Sequence, residues 1–417
     1  IATVFAQFVS VVCSVVVLRK QDMPIEFSRE QCRIYKEELG KILNVGVPIA
    51  LQETTVQISF LVVNSVINQM GLMPSAGYGI AQKIVSFIML VPSSIMQSVS
   101  AFVAQNIGAG KPGIAYQARQ LGLIFNAVIA VLMSVFLAVF SGNILKMVSI
   151  APALFDSANT YLRIVGGACF LNALIPIYSS YLRVFGYTKQ SLWASIIGNV
   201  INFILNAVFL FVMNWGVMGV ATATVISRII NLIIVATMGA VLIKAKNSPE
   251  RIASGKILGQ IIKIGFPSAC ETALYNIAMT LVVRFMNQMD ADGMNVTARS
   301  YASQIANFSY CIGAALAQAN AILTGWHIGA KEYDECDKGT RKAAIYGVIT
   351  ASCLSITFAL LGNYIVRIFT NDVQMINLVT KLLAIDVVLE LGRVTNLVYG
   401  QALKTSGVPV LDKPHHR

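Results

Sequence analysis

The 417-residue chain is 56% apolar and only 12% charged, with 31 Lys and Arg against 19 Asp and Glu and a mean hydropathy of +0.70. A soluble domain carries roughly twice that share of charge, so the surplus apolar residues must face lipid, which excludes soluble enzymes, secreted disulfide scaffolds and disordered chains. The formal charge of +12 fits basic cytoplasmic loops and gives no reason to expect a nucleic-acid partner.

In chain order, runs apolar enough to cross a bilayer predict eleven helices. They lie near 1–18, 41–70, 76–105, 120–142, 157–185, 190–213, 216–243, 258–289, 294–325, 341–366 and 376–405. Several exceed the ~20 residues a bilayer needs and must tilt or bend. Pro48, Pro92, Pro176 and Pro267 are the expected bend points. With the segment after the first run in the cytoplasm, alternation places 22 of the 31 basic residues inside. Only Lys146, Arg284, Arg299, Arg367 and Lys381 are left outside, the asymmetry that the positive-inside rule demands. The seven cysteines form no CxxC pair and are expected as small core residues. With only His327, His415 and His416, the chain has little material for a His-based metal centre or triad.

The chain repeats itself. Gly46-Val47-Pro48 matches Gly265-Phe266-Pro267 at an offset of 219, after which the offset settles at 221. At 221, Phe87 meets Phe308, Gln97 meets Gln318, Gly108-Ala109 meets Gly329-Ala330, and Gly186 meets Gly407. The expected organisation is the last helix of a preceding repeat plus a cytoplasmic linker over 1–34, a complete six-helix lobe over 35–247, and an incomplete second lobe of four helices over 248–417. Six helices per copy is even, so both copies run the same way through the membrane. The fold class is therefore all-α integral membrane, about eleven helices in two bundles related by a parallel repeat, with a substrate cavity expected between them.

Acidic groups inside a bilayer are costly and are functional candidates by default. Four stand out: Glu53 and Glu271, five and four residues after Pro48 and Pro267 and so expected about one turn into each copy's first helix, and Asp386 and Glu390. Asp386, Glu390 and Arg393 are spaced i, i+4, i+7 and share a helical face. Such a trio can take up a proton or Na⁺; equally, Glu390 and Arg393 can be a structural ion pair. Apart from Na⁺ at Glu390 and Asp386 no metal is expected, and no cofactor beyond Na⁺ or H⁺ as coupling ion. Gln52, Asn64, Asn68, Gln82 and Asn172 in one copy, with Asn276, Gln304 and Asn307 in the other, are candidates for a wet cavity or for bonds between helices. Tyr275, Tyr301 and Tyr310 can stack on an organic cation or simply pack.

Several motifs carry a family resemblance. Gly46-Val47-Pro48-Ile49-Ala50-Leu51-Gln52 opens one helix, Phe102-Val103-Ala104-Gln105-Asn106-Ile107-Gly108-Ala109-Gly110-Lys111 closes another, and Tyr181-Leu182-Arg183-Val184-Phe185-Gly186-Tyr187 ends a third. Together with Glu390-Leu391-Gly392-Arg393, they resemble the multidrug and toxic compound extrusion (MATE) family of the multidrug/oligosaccharidyl-lipid/polysaccharide exporter superfamily, over about 1–408. The family has two lobes of six helices, so a 1+6+4 chain is expected to be a partial or mosaic frame; which lobe comes first stays open.

The resemblance implies a non-enzymatic secondary transporter. It would be a monomer in the cell (inner) membrane, in contact with lipid, exporting an organic cation by Na⁺ or H⁺ antiport. A flippase for lipid-linked or amphiphilic substrates is the alternative, and a non-transporting receptor, scaffold or inactive fragment a third. The family's usual coupling acid in the second lobe's fourth helix aligns with Arg393, with Glu390 one turn earlier. ATP-driven transport is disfavoured, because no Walker motif is present.

Overall fold

Long apolar runs satisfy their backbone groups internally, and helices are the way to do that in lipid. The computed structural model describes residues 5, 9, 36–148, 150–243, 253–289 and 293–407, and every regular element among them is helical. The helices are α1 Lys36–Gln69, α2 Leu72–Ile88, α3 Leu90–Gly108, α4 Pro112–Met147, α5 Pro152–Tyr161, α6 Phe170–Val184, α7 Thr188–Ala207, α8 Gly216–Leu242, α9 Ser254–Met289, α10 Met294–Gly329, α11 Tyr333–Leu360, the short α12 Gly362–Ile365, and α13 Val373–Ser406. Widened π turns extend α5 over Leu162–Gly166 and α7 over Val208–Val212.

Ten of the eleven expected spans coincide with these helices or pairs of them; the run at 1–18 lies outside the described residues apart from Phe5 and Val9. Among the described residues, five helices are long and apolar enough to cross a membrane, or up to seven if each of two bent pairs counts as one span. One expectation is corrected. Glu53 and Glu271 are not near their helix starts: each is the eighteenth residue, because α1 and α9 begin upstream at Lys36 and Ser254. In α1 the strong helix formers of Lys36-Glu37-Glu38-Leu39 extend the helix before the apolar run. Pro48 and Pro267 lie inside helices that continue through them. Among the described residues one bent break is at Met89, where α2 meets α3 at 41° three residues before Pro92, and another is at Gly167–Cys169, where the pair Pro152–Gly166 and Phe170–Val184 bends by 44°.

The described chain divides into two compact units. One comprises the described parts of Ile1–Thr54 and Leu274–Arg417, the other Thr55–Ala273, so both divisions fall within helices, α1 and α9. In unit 55–273 the largest buried cluster gathers Ile67, Tyr78, Leu137, Tyr161, Leu162, Val165 and Cys169. In the other unit Val394 of α13 is fully buried between two glycines. A Cβ on Gly313 or on Gly347 would lie 2.8 Å from its methyls, so only the absence of a side chain lets α10 and α11 approach this closely.

Helix boundaries follow the sequence repeat. Gly108 and Gly329 end helices 221 residues apart, Pro112 and Tyr333 start them at the same interval, and so do Pro152 and Val373. Backbone conformation repeats as well: Gly110 at φ +69° corresponds to Lys331 at φ +63°, and Gly186 at +89° to Gly407 at +71°. These left-handed residues stop helices, a role glycine fills without a Cβ penalty. Lys331 carries that penalty in one copy. Lys331→Gly is therefore expected to raise stability by about 0.5–1 kcal/mol, measured as a higher unfolding midpoint in detergent. An unchanged or lowered midpoint would show that the lysine side chain makes compensating contacts.

Of the described cysteines, Cys169 and Cys311 are buried as expected, whereas Cys270 and Cys353 are exposed on their helices.

Candidate ion-coupling site

At 100° per residue, Asp386, Glu390 and Arg393 fall within an arc of about 60° on α13. Asp372 fixes the start of that helix, its carboxylate accepting from the Gln374 N–H at 2.9 Å. Arg393 is the hub of the trio. Its Nε donates to Glu390 Oε2 at 3.2 Å, and its Nη2 donates to Glu390 Oε1 and to Asp386 Oδ1, the latter at 3.5 Å. Glu390 is fully buried, while the side chains of Asp386 and Arg393 retain 13% and 22% of their exposure. Ser355 of α11 stands alongside Asp386, but Asp386 Oδ2 is buried and has no hydrogen-bond donor.

Other helices of the same unit complete the surroundings. The Arg393 guanidinium stands 5.6 Å from the ring centre of Tyr310 on α10, so that ring already holds a cation, the protein's own. Tyr275 is exposed on α9, in the part of that helix that belongs to the same unit. Glu53 of α1 is half-buried near Tyr310 and Cys311, and its Oε1 accepts from Gln318 Nε2 at 3.4 Å. With both α13 carboxylates ionised, two negative charges meet one positive. The trio then carries a net −1, which one proton or one monovalent cation would balance.

The remaining sequence candidates are dispersed. Glu271 is exposed and belongs to unit 55–273, two residues before its end at Ala273. Gln52 is buried on α1, and Asn276, Gln304 and Asn307 are half-buried on α9 and α10. In unit 55–273, Asn64 is half-buried, Asn68 is exposed and accepts from the Ser75 hydroxyl, and Gln82 Oε1 accepts from the Tyr161 hydroxyl at 3.3 Å. Asn172 is half-buried at the start of α6, its N–H donating to the Cys169 carbonyl at 2.9 Å.

The repeat makes an internal comparison. At 221 residues' distance, Asp386, Glu390 and Arg393 correspond to Val165, Cys169 and Asn172. Unit 55–273 therefore has no acidic trio at the matching place. Cys169 Sγ is instead 3.2 Å from Ser134 Oγ, which accepts from the Phe170 N–H at 2.8 Å. The basic group here comes from a different helix: Arg228 lies on the face of α8 whose Val217, Ala221 and Val225 pack in one cluster with Tyr161, Tyr78 and Cys169. The sequence places Arg228 within an apolar span, but no acid on α8 gives it a partner there; the mapping of Cys169 onto Glu390 is the signal that leads to it.

Comparison with known proteins follows the same outline. The MatE family model matches residues 48–208 and 267–411, two stretches that start 219 residues apart. Among curated proteins, the uncharacterized transporter YisQ of Bacillus subtilis is 28% identical over 338 residues, covering 80% of this chain and 74% of that protein. The probable multidrug resistance protein NorM of Thermotoga maritima is 24% identical over 331 residues, covering 73% of this chain and 66% of its own length. Among solved structures, the Vibrio cholerae MATE transporter VcmN in its bent form superposes with a TM-score of 0.79 at 18% identity, over 89% of this chain and 84% of that one.

Proposed function

Because this chain belongs to the MATE family, and is thus a multi-pass membrane transporter and not an enzyme, we propose that it exports small organic compounds by antiport against Na⁺ or H⁺. Asp386, Glu390 and Arg393 are its ion-coupling group. The reading rests on one observation: Arg393 is shared between two acids, yet Asp386 Oδ2 is buried with no donor. A purely structural pair needs no second acid, and a buried carboxylate oxygen without a partner is a standing cost that a cation or proton would relieve.

In this reading Glu390 holds Arg393 in place through two bonds, and Asp386 is the exchangeable acid. Binding of the coupling ion at Asp386 weakens its hold on Arg393, which then leans fully on Glu390 and Tyr310. That change alters how α13 packs on α10, the kind of two-state element that alternating access requires. Glu53 and Glu271 are secondary candidates for the same role. Gln52, Asn64, Asn68, Gln82, Asn172, Tyr275, Asn276, Gln304 and Asn307 are proposed to line the path of the substrate, an organic cation or an amphiphile. The protein is proposed to act as a monomer in the cell (inner) membrane.

The test is efflux of ethidium from proteoliposomes under an imposed Na⁺ or pH gradient. The chain is expected to respond to one gradient, and Glu390→Gln is expected to lose that response. Ion-driven efflux unchanged in both Glu390→Gln and Glu271→Gln, with the wild type active, would remove the coupling role from these acids.

A further inference from the structure

Unit 55–273 contains thirteen Lys and Arg but only three acids, Asp156, Glu250 and Glu271. Asp156 and Glu271 are exposed, and Glu250 lies outside the described residues. Against that background Arg228 is unusual. It is the thirteenth of the 27 residues of α8, about 18 Å from one end and 21 Å from the other at 1.5 Å per residue, hence near the middle of an apolar span. Its Nη1 is buried without an acceptor, and the residue forms no hydrogen bond or ion pair among the described residues.

Tyr78, Tyr161 and Cys169, in the cluster that the Arg228 face of α8 packs into, are groups that stay neutral at neutral pH and supply no negative charge. Arginine cannot shed its proton to escape the cost of this environment, as a lysine or a carboxylate can. An intramembrane guanidinium in a unit this poor in acid therefore calls for a counter-charge from outside the unit's own side chains. Arg228 shares a face of α8 with Val217, Ala221 and Val225, which pack in one cluster with Tyr78, Tyr161 and Cys169. In that cluster Tyr78 and Tyr161 form an edge-to-face pair with centres 4.8 Å apart, and the Tyr161 hydroxyl donates to the amide oxygen of Gln82. The same cluster includes Ile67, Val85 and Leu162. A planar fork of N–H donors with hydroxyl and amide groups beside it suits a carboxylate or phosphate oxygen, and the tyrosines and the cluster suit an apolar body attached to it.

We propose that Arg228, with Tyr78, Tyr161 and Gln82, forms an anion site that takes the acidic group, carboxylate or phosphate, of an organic amphiphile. The site belongs to unit 55–273, whereas the α13 acids belong to the other unit, and it does not depend on which ion drives transport. It extends the range of ligands from organic cations to zwitterions and anions with an apolar body.

The experiment is calorimetric titration of the purified full chain, in neutral detergent, with phenyl phosphate, benzoate and a short-chain phosphatidic acid. At least one of the three is expected to bind saturably to the wild type and at least tenfold more weakly to Arg228→Gln, with Arg228→Lys in between. Cys169→Asp keeps the arginine and places a carboxylate beside it, so it is expected to lose binding to the same extent as Arg228→Gln. That outcome cannot arise from a misfolded arginine variant. Binding of phosphatidic acid alone would assign the acidic group to a lipid headgroup, and binding of phenyl phosphate or benzoate to a soluble ligand; either supports the site. Equal titrations in the wild type, Arg228→Gln and Cys169→Asp, or saturable binding of none of the three probes, would overturn it.

Discussion

Arg393→Gln is expected to destabilise its unit by about 3–5 kcal/mol, the usual loss when one partner of a buried ion pair is removed. The arginine's own contacts are the smaller part of that loss. Glu390 has no exposure and both its oxygens are bonded to Arg393, so removing the guanidinium strands a carboxylate inside a membrane helix. Glu390→Gln should cost less, because Arg393 keeps Asp386 on one side and the Tyr310 ring on the other. The double variant Arg393→Gln with Glu390→Gln should recover most of the loss, since two neutral amides can bond to each other. Unfolding midpoints of the four proteins in mixed micelles form a double-mutant cycle. If the two single effects simply add, Glu390 and Arg393 do not act as a pair and the hub role of Arg393 is wrong.

The i, i+4, i+7 spacing on α13 makes this trio legible in the sequence, because a helix face follows from residue separation alone. What surrounds it does not follow in that way. Glu53 and Gln318 are 265 positions apart, and Tyr310 meets Arg393 across 83, so their approach depends on how α1, α10 and α13 pack. The repeat carries more than its sequence identities suggest, since even the left-handed Lys331 occupies the place of a glycine. Pro92 follows the break at Met89, where its ring opposes continuation of the preceding turn. Within long helices Pro48 and Pro267 lose one backbone bond each without interrupting the element.

Glycine explains one of the bends better. Gly166 and Gly167 precede the 44° break, and the matching residues on α13 are Val387 and Val388, in an unbroken helix. Glycine weakens a helix interior by about 1 kcal/mol relative to alanine, and adjacent glycines give the chain a cheap place to turn. At Met89, which breaks α2 from α3 where Tyr310 continues α10, Pro92 is three residues on. Thus the two copies share boundaries but differ at their centres. One has continuous helices carrying acids, and the other has broken helices with a thiol where Glu390 would be. Divergence of this kind divides labour between repeats: Asp386 and Glu390 offer negative charge in one unit, and Arg228 offers positive charge in the other.

Asp386→Asn is expected to abolish ion coupling with little loss of stability. Asp386 contributes only one long contact to Arg393, at 3.5 Å, and its second oxygen has no donor to lose. An isosteric amide therefore disturbs the packing far less than Arg393→Gln does. Its effect on charge is complete, because the trio passes from a net −1 to zero and no longer attracts a monovalent cation or proton. In proteoliposomes a tenfold ion gradient stores about 1.4 kcal/mol, which at one-for-one exchange supports up to about tenfold accumulation of a monovalent substrate. The wild type should approach that ratio, and Asp386→Asn should fall to about one while still equilibrating substrate across the membrane. Exchange of one monovalent cation for another is also electroneutral, so the wild-type ratio should not respond to an imposed membrane potential. A ratio that stays near tenfold in Asp386→Asn would move the coupling site elsewhere, with Glu53 and its Gln318 contact the next place to look.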